Sequence, residues 1–562
     1  MKYSNKLLAG YENMRLVGYE DAALPNTVAY DDLPDTQVDG VLKMNRHDDS
    51  GKLIQTYSAA ESHVGVIAAT RLGKSSGYVI PTIISFARQK TKRSMIISDP
   101  KGELYKTTSQ TLRQSGYDVK LLNFRDYVHS ECWNMLTPIY RKYQKAANIA
   151  DEAEVVIDGD ELKQRFFGRL YDNFDELQRE IEYRREMLMD EVGNDIDLLC
   201  SMFITTEKLQ DPYWEDSSRE LLKAFLWAML EDSDKKHPNR ITEETFSFST
   251  ILSILAKFRD DNGASYNDSG YFSSRKDTSR ALQLAKNNLL ENASNTRKCI
   301  VATFNTKMAV FRECAMRLIT RCNSFYIEEI CDKPTAIFID YRDEVKVHYQ
   351  IISLFVQNAY RFLIDKANAS GKGRLDVPFY FILDEFGNFP AIRDFETTIS
   401  ACAGRNIFFI LIFQSYAQLN RVYGADVAEI IRDNLNMHVF FGSNNPATLR
   451  AFSEECGEYA RISPLSALNG SSDDMEVYSI ETIPLVTKSK LSHFAPGECI
   501  ITEANSGYVM FSKMERYFEC KEFMDLPTAA ETDYICPLNP FDKRYTYEVT
   551  FKRRAFGGYN VE

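Results

Sequence analysis

The sequence predicts an α/β protein in which one mainly parallel sheet is interrupted by a helical insertion. Two blocks of short apolar segments, each about one strand long and separated by helix-length stretches, indicate the sheet. Between these blocks, residues 141–330 consist largely of long charged segments in which acidic and basic side chains alternate at helical spacing. We therefore expect more than one hydrophobic core in this 562-residue chain.

The first block begins the sheet. His63–Ala69 has the pattern of a short buried strand, and a glycine-containing turn and an apolar helix at Gly77–Ala87 follow it, despite Pro81. Ser94–Ser98 and Val119–Phe124 predict two further strands.

After the insertion, in which Glu161–Val192 predicts a charged helix, the strands return. These patterns predict the domain organisation of the chain: an N-terminal extension at 1–60, a sheet domain at 61–140 and 331–520, an inserted all-α domain at 141–330 and a C-terminal tail at 521–562. The later strands are predicted at Thr335–Ile339, Phe379–Leu383, Ile407–Phe413, Met437–Phe441, Glu498–Thr502 and Gly507–Phe511.

Composition and charge exclude several classes of protein. The net charge is −13, so any contact with nucleic acid must use a local basic surface rather than the overall field of the protein. The 11 cysteines form no CxxC pair, which indicates a reducing compartment. No segment reaches the roughly 20 apolar residues of a membrane span, so we expect any membrane location to depend on another protein.

A phosphate-binding loop is predicted where the first strand meets its helix. Gly73 allows the backbone to wrap around a phosphate, Lys74 reaches the outer phosphates, and the Ser75 hydroxyl ligates magnesium, which makes ATP and Mg²⁺ the expected cofactors. Ala68 stands where the pattern has its first glycine, so the match is incomplete, and a short Gly-Lys-Ser run also occurs in surface turns. The predicted nucleotide-binding residues are Ala68, Ala69, Thr70, Arg71, Leu72, Gly73, Lys74, Ser75 and Ser76.

A pair of acidic residues follows the apolar strand Phe379–Leu383. Unpaired charges at the end of a buried strand are energetically costly, so a pair of carboxylates there indicates a functional role. Asp384 would hold magnesium, and Glu385 would orient or deprotonate an attacking water. The alternative is a solvated strand end before a turn.

Two further polar residues flank the strand Ile407–Phe413. Gln414, directly after it, is placed to hydrogen-bond a γ-phosphate, because ligands of parallel sheets bind at the carboxyl ends of the strands. Arg405, two residues before the strand, is a candidate arginine finger for a neighbouring subunit. Their alternatives are a simple strand-end polar residue and a solvated arginine.

Several motifs together resemble a known family, the type IV secretion coupling proteins, which are TraG/TraD-like conjugative DNA-transfer ATPases. The resemblance covers about residues 60–520, and its most specific parts are the segments Asp99–Tyr105 and Asp211–Asp216. The other similar positions are Trp133-Asn134, Asp384–Gly387, Gly404-Arg405, Gln414-Ser415 and His438–Ser443.

This resemblance implies a RecA-like P-loop NTPase with an inserted all-α domain that selects substrates. It also implies a homo-hexamer that moves single-stranded DNA and its bound relaxase toward the type IV secretion channel proteins. Lys74 and Ser75 would bind phosphate and magnesium, and Asp384 and Glu385 would support hydrolysis. The family's usual N-terminal membrane helices are absent from this sequence, so we expect a separate membrane anchor protein and a peripheral location at the cytoplasmic face of the bacterial membrane.

Two other functions fit parts of the sequence. Gly73–Gly77 also matches the GxSxG elbow of a serine hydrolase, with His438 or His493 as the base. This interpretation leaves Asp384 and Glu385 without a clear role. A nucleotide-dependent docking platform for relaxase with little ATP turnover is the other alternative, and Ala68 favours it.

Overall fold

The computed structural model divides the chain into two compact units. One comprises Met1–His129 and Tyr326–Ile535, and the other comprises Ser130–Phe325 and Cys536–Glu562. Some of the predicted features lie partly or wholly outside the described residues, namely the extension at 1–60, Asp211, Gly507 and the tail at 521–562. The structure describes residues 15–17, 27–29, 42–47, 53–58, 61–158, 161–204, 212–235, 237, 240–258, 270–342, 344–464, 478–504, 508–514, 516–519, 526–539, 542–545, 551–553 and 559–561.

The strands confirm the predicted sheet, since each predicted strand is present with its ends shifted by at most one or two residues. In chain order the strands are β1 Arg15–Val17, β2 Thr27–Ala29, β3 Leu42–His47, β4 Leu53–Ser58, β5 Val64–Ala68, β6 Ser94–Asp99, β7 Asp118–Asn123, β8 Glu154–Asp158, β9 Glu161–Phe166, β10 Arg169–Tyr171, β11 Thr335–Asp340, β12 Phe379–Leu383, β13 Ile407–Phe413, β14 Met437–Gly442, β15 Glu458–Pro464, β16 Tyr478–Pro484, β17 Glu498–Glu503, β18 Tyr508–Lys513, β19 Phe551–Arg553 and β20 Tyr559–Val561.

Ten of these strands form the main sheet of the first unit, in the order β1-β18-β17-β14-β5-β13-β12-β6-β11-β7. The strands from β14 to β7 in this order are all parallel, whereas β17 is antiparallel to both β14 and β18. The central strand β13 is buried along its whole length, as expected for a parallel strand covered by helices on both faces.

The helices are amphipathic or fully apolar according to their position. Lys74–Val79 forms a widened, π-helical turn that leads directly into the helix α1, Ile80–Arg88. Pro81 lies in the first turn of α1, where its missing N–H costs nothing. No helix among the described residues is both long and apolar enough to cross a membrane. The α-helices are α1 Ile80–Arg88, α2 Glu103–Gln114, α3 Thr137–Ala147, α4 Phe174–Phe203, α5 Pro212–Glu231, α6 Phe248–Leu255, α7 Arg280–Ala285, α8 Ser294–Lys307, α9 Cys314–Ile319, α10 Tyr349–Ala369, α11 Phe395–Cys402, α12 Tyr416–Tyr423, α13 Ala425–Asp433, α14 Pro446–Glu455 and α15 Lys488–Leu491.

The core of the first unit lies between the parallel strands and α1. Val66 of β5, Ile97 of β6 and Ile410 of β13 are completely buried, and they pack in one cluster with Ile83 of α1. This packing positions the ends of the strands, from which the polar residues of the site project.

The second unit is mainly helical, but its predicted helix at Glu161–Val192 is wrong in its first third. β8, β9 and β10 form a small antiparallel sheet there, and the helix α4 begins only at Phe174. β9 and β10 are joined by Phe167 and Gly168, whose positive φ angles of 46° and 78° suit a tight hairpin turn. The physical reason for the strands is burial: Phe166 and Tyr171 pack in a small core with the first turns of α4.

The helix α5 begins at Pro212, which confirms that the second family-like segment starts a helix. Twelve of its 20 residues are buried, and it packs against α7 and α8. Glu215, in its first turn, is buried, and its carboxylate lies 3.9 Å from Lys307 Nζ.

Candidate phosphate-binding site

The polar residues singled out by the sequence converge at one edge of the main sheet. β5, β13, β12, β6 and β11 are adjacent and parallel, so their carboxyl ends meet at this edge. Ligands of open parallel sheets bind at such an edge.

The loop after β5 has the backbone of a phosphate cradle. Gly73 has a φ of 92°, which a side chain would strain, and its carbonyl accepts a hydrogen bond from Gly77 N at 2.6 Å. Ala69 N donates to the Gly442 carbonyl at 2.9 Å, which ties the loop to the end of β14. Ala68 is the last residue of β5 and has no positive φ, so this backbone accommodates its Cβ without strain.

The other loop residues have less specific contacts. Thr70 and Arg71 are exposed, and Arg71 has a left-handed φ of 70°. Leu72 N donates to the Ala69 carbonyl at 3.4 Å, and Ser76 Oγ donates to the Gly73 carbonyl at the same distance.

Lys74 is the centre of the cluster. Its Nζ lies 2.5 Å from Glu385 Oε1 and 3.2 Å from Asp384 Oδ1, and all three side chains are almost fully buried. Burial by itself would lower the pKa of Lys74, but the two carboxylates outweigh it and raise that pKa above its ordinary value. The lysine is therefore charged and held in place by two counter-charges.

The acidic pair after β12 is oriented by its neighbours. Ser75 Oγ donates to Asp384 Oδ2 at 3.4 Å, and Ser98 Oγ donates to the Asp384 carbonyl at 2.9 Å. Glu385 has a φ of 53°, an uncommon backbone for a non-glycine residue. Burial would raise the pKa of Glu385, but Lys74 and then Gln414 overcome this and lower it, so Glu385 is a carboxylate at neutral pH.

Gln414 joins the cluster from the end of β13. Its Nε2 donates to Glu385 Oε2 at 3.1 Å. Its backbone is fixed on both sides, because Gln418 Oε1 accepts from Gln414 N at 2.9 Å and Ser443 Oγ donates to the Gln414 carbonyl at 3.0 Å. Gln414 thus connects the acidic pair to the neighbouring strand.

Arg405 does not join this cluster. It precedes β13, at the amino end of the strand, whereas the phosphate loop lies at the carboxyl edge of the sheet. Its guanidinium donates to the Ala401 carbonyl at 2.7 Å and to Asn368 Oδ1 at 3.3 Å. This placement excludes a role for Arg405 at the phosphate loop of its own chain.

Two residues of the cluster were not predicted as site residues, although they lie in the segment Asp99–Tyr105. Lys101 Nζ is 3.9 Å from Glu385 Oε1. Asp99 ends β6 next to β12 and is buried, which raises its pKa to about 7, and Tyr105 N donates to its Oδ2 at 2.7 Å. The signal that could have found both is their position at the carboxyl end of a predicted strand.

The residues present fit a magnesium ion better than other metals. Ser75 and Asp384 offer hydroxyl and carboxylate oxygens, the ligands that Mg²⁺ takes together with phosphates and waters. Within the part of the chain that the structure describes, no group of three or more His, Cys, Asp or Glu is arranged to hold a metal by itself. Magnesium would therefore be held at this edge jointly by the protein and a nucleotide.

The contacts of the candidate serine-hydrolase residues do not form a catalytic triad. Ser75 donates to Asp384, and the Nδ1 of His438 lies 2.6 Å from Glu455. His438 is paired with Gly65, near the start of β5 rather than at the end that carries Ser75. His493 is exposed and bonds to its neighbours Ser489 and Ser492.

Fold and site together define a RecA-like P-loop NTPase, since a glycine loop with its lysine after β5 faces an acidic pair on a parallel sheet. The chain belongs to the family described as "Type IV secretory system Conjugative DNA transfer", whose model matches residues 33–532.

Curated relatives agree with this assignment. The conjugal transfer protein TraG of Escherichia coli is 23% identical over 433 residues, which cover 75% of this chain and 58% of TraG. The protein VirD4 of Rhizobium rhizogenes is 22% identical over 407 residues, which cover 71% of this chain and 50% of VirD4. The chain thus spans between half and three fifths of the length of these relatives.

Solved structures of the bacterial conjugative coupling protein TrwB have the same fold. The unbound TrwBΔN70 structure matches with a TM-score of 0.54 and 13% identity, over 92% of this chain and 96% of that one. TrwB with the non-hydrolysable ATP analogue ADPNP matches with a TM-score of 0.52 and 13% identity, over 92% and 97%. TrwB with ADP and Mg²⁺ matches with a TM-score of 0.51 and 14% identity, over 81% and 85%.

Proposed function

We propose that this protein is an ATP-driven coupling protein that recruits relaxase-bound single-stranded DNA and moves it to a type IV secretion channel. The observation that carries the proposal is the buried contact of Lys74 with Asp384 and Glu385, completed by Gln414. Membership of the conjugative DNA-transfer family supplies the biological context.

The geometry suggests how the chain would use ATP. A nucleotide phosphate would displace the carboxylates from Lys74, because the Lys74 ammonium follows Gly73 in the loop and would be attracted to the negative charge of the phosphate. Asp384, released from Lys74, would join Ser75 in holding Mg²⁺. TrwB, which has the same fold, has been solved with ADP and Mg²⁺, and this supports nucleotide and magnesium as ligands here.

Glu385 and Gln414 have complementary roles in this proposal. Glu385 is ionised, so it can accept the proton of an attacking water or hold that water in line with the γ-phosphate. Gln414 donates to Glu385 and lies at the end of the adjacent strand, so loss of the γ-phosphate at Glu385 would be transmitted to β13.

The partners follow from the family rather than from the site. We propose a homo-hexamer at the cytoplasmic face of the cell membrane that contacts relaxase, single-stranded DNA and channel proteins, with a separate protein as membrane anchor. The inserted helical unit is the proposed substrate-selecting part. The overall charge of −13 requires that DNA binds a local basic surface.

A docking platform with little ATP turnover is the second candidate function. Ala68 in place of the first loop glycine was the reason for it. Because Ala68 ends β5 without a positive φ, the structure provides no strain that would slow turnover. The motor is therefore the better supported of the two.

Steady-state ATP hydrolysis with and without single-stranded DNA tests the proposal. We expect DNA-stimulated hydrolysis in the wild type, and a loss of roughly 10²-fold or more in kcat in Lys74→Ala and in Glu385→Gln, since each removes one part of the phosphoryl-transfer site. Lys372→Ala is the matched control, because Lys372 is an exposed lysine whose Nζ lies 2.6 Å from the exposed Asp376, away from the site.

Each outcome has a distinct meaning. ATP binding without turnover in the wild type would favour the docking platform. Turnover that survives Lys74→Ala would contradict the assignment of the loop itself, and turnover indifferent to DNA would separate the ATPase from the proposed cargo.

A further inference from the structure

Three cysteines that are far apart in the sequence lie together in the second unit. Cys132 precedes α3, Cys322 follows α9, and Cys536 lies in the C-terminal segment. Cys132 and Cys322 are buried in one apolar cluster with Tyr545, and Cys536 packs against this cluster. None of the three belongs to the phosphate-binding site.

Cys132 is a buried member of this thiol cluster. Cys322 packs with it, and Cys536 packs against the cluster. Cys536 Sγ lies 3.9 Å from the carboxylate of Glu131, the residue before Cys132, which places Cys536 near Cys132. Cys536 is half-buried rather than buried, which makes it the member most accessible to a reagent from solvent. Access and contact together single out Cys132 and Cys536 as a reactive pair.

The surroundings activate Cys536. The hydrogen bond from Cys132 lowers the pKa of Cys536 to about 7, whereas its hydrogen bonds and burial raise the pKa of Cys132. The carboxylate of Glu131, whose Oε2 accepts a hydrogen bond from Cys536 Sγ at 3.9 Å, opposes this shift, because its negative charge disfavours the thiolate. The pKa of Cys536 is still lowered overall, so a larger fraction of it than of an ordinary cysteine is thiolate at neutral pH.

We propose that the thiol cluster is a redox modification site at which a peroxide converts Cys536 and Cys132 into a reversible disulfide. The Cys536 thiolate attacks the O–O bond of hydrogen peroxide, which forms a sulfenic acid and releases water after proton uptake. The Cys132 sulfur then attacks the sulfenic sulfur as its own proton leaves, the S–O bond breaks, and a second water is released. The two thiols lose two electrons and the peroxide gains them.

The disulfide would have a structural consequence. The segment after Cys536 is held to the unit by Tyr545, whose carbonyl accepts a hydrogen bond from Arg321 Nε at 2.8 Å. A disulfide to Cys132 would hold this segment in place until a dithiol reduces the bond. Such transient disulfides are the kind found in reducing compartments, where structural ones are rare.

Peptide mapping of the full-length protein by mass spectrometry tests the proposal. The reduced protein is treated with hydrogen peroxide, alkylated and digested without reductant. We expect a peptide that links Cys132 to Cys536 and disappears with dithiothreitol, whereas the exposed Cys299 stays alkylated. Before oxidation, Cys536 should react with iodoacetamide at pH 7 faster than the exposed Cys299, because more of it is thiolate.

Two variants separate the roles of the cysteines. Cys132→Ser should leave Cys536 as a sulfenic acid that dimedone traps, with no cross-link. Cys322→Ser is the matched control and should retain the link between Cys132 and Cys536, with an unchanged circular dichroism spectrum. A wild type that forms no such link, or a link that persists in Cys132→Ser through Cys322, would overturn the proposal. Stoichiometric zinc that blocks alkylation until it is chelated would also overturn it, because the cluster would then be a metal site.

Discussion

At the residue scale, the carboxyl edge of the sheet holds acids in opposite states. Glu385 is kept ionised by Lys74. Asp99 and Asp340, which are partners in the adjacent strands β6 and β11, are buried and have their pKa values raised by that burial, to about 7 and about 8. Arg125 Nε lies 2.5 Å from Asp340 but does not reverse its shift. Environment rather than residue type therefore decides which acids carry charge.

The raised pKa of Asp99 makes the stability of the folded protein depend on pH. Because its pKa is higher in the folded than in the unfolded chain, the folded state keeps a proton that the unfolded state loses above about pH 4. This carboxyl therefore contributes stability at low pH that is lost as the pH rises through about 7. The Asp99→Asn variant retains an acceptor for Tyr105 N but cannot titrate. As the pH rises from 5 to 8, we expect its free energy of unfolding to increase relative to that of the wild type, on the order of 1–4 kcal/mol.

Thermal or urea unfolding of the nucleotide-free protein at several pH values measures this difference. Asp376→Asn is the control, because Asp376 is exposed and its pKa is lowered by Lys372, so its titration lies below this range. Parallel stability curves for wild type and Asp99→Asn would show that Asp99 is ionised in the folded state.

At the scale of elements, the hairpin β9–β10 and the helix α4 show how similar sequences form different structures. Both contain mixed charges at spacings that suit a helix. The hairpin forms because Phe166 and Tyr171 reach a common core. The helix begins where Asn173 accepts a hydrogen bond from Asp175 N at 2.8 Å, which caps its first turn.

Substitution of two glycines tests whether the hairpin and the helix α4 are separate elements, because the two substitutions should have opposite effects on stability. Gly168 has a φ of 78° in the hairpin turn, so Gly168→Ala should destabilise the second unit by about 1 kcal/mol. Gly193 lies inside α4, and a Cβ there would meet Trp227 at an ordinary 3.8 Å, so Gly193→Ala should stabilise the unit by about 0.5–1 kcal/mol.

Urea unfolding followed by tryptophan fluorescence measures both effects. The three tryptophans of the chain, Trp133, Trp214 and Trp227, all belong to the second unit, so the signal reports that unit. Equal effects of the two substitutions, in sign and size, would argue that a continuous helix replaces the hairpin in solution.

At the scale of the whole molecule, the position of Arg405 bears on how the subunits would assemble. It lies at the end of β13 opposite to Gln414, so within one chain it has no part in the phosphate-binding site. The proposed hexamer provides a place for it, at the site of the neighbouring subunit. Before it acts there, its guanidinium must leave the Ala401 carbonyl.

Mixing of inactive variants tests this assignment. Arg405→Ala and Lys74→Ala should each lose most ATPase activity alone. In a mixture, an Arg405→Ala subunit can supply an intact loop and a Lys74→Ala subunit an intact finger, so about a quarter of the interfaces should regain function on random assembly. A mixture of Lys74→Ala with Glu385→Gln is the control, because both changes lie in the same chain's half of the site. Recovery in the control, or none in the test mixture, would contradict a finger in trans.

The sequence by itself determined the strands and located the candidate phosphate loop and the acidic pair at their ends, because each depends on residues close together in the chain. An apolar strand followed by Gly73, Lys74 and Ser75, or by Asp384 and Glu385, is a local pattern. Burial in a parallel sheet then places the ends of all such strands at one edge.

Only the tertiary structure decided which of these residues meet. The order of the strands brings Gln414 to Glu385, and Lys101 to the same carboxylate, across separations that no periodicity encodes. The same holds for the small core that turns a predicted helix into a hairpin, and for the packing of Cys536 against the buried cluster that contains Cys132. Long-range packing decides these features because their stability comes from apolar burial between segments, and local sequence carries no record of the partner.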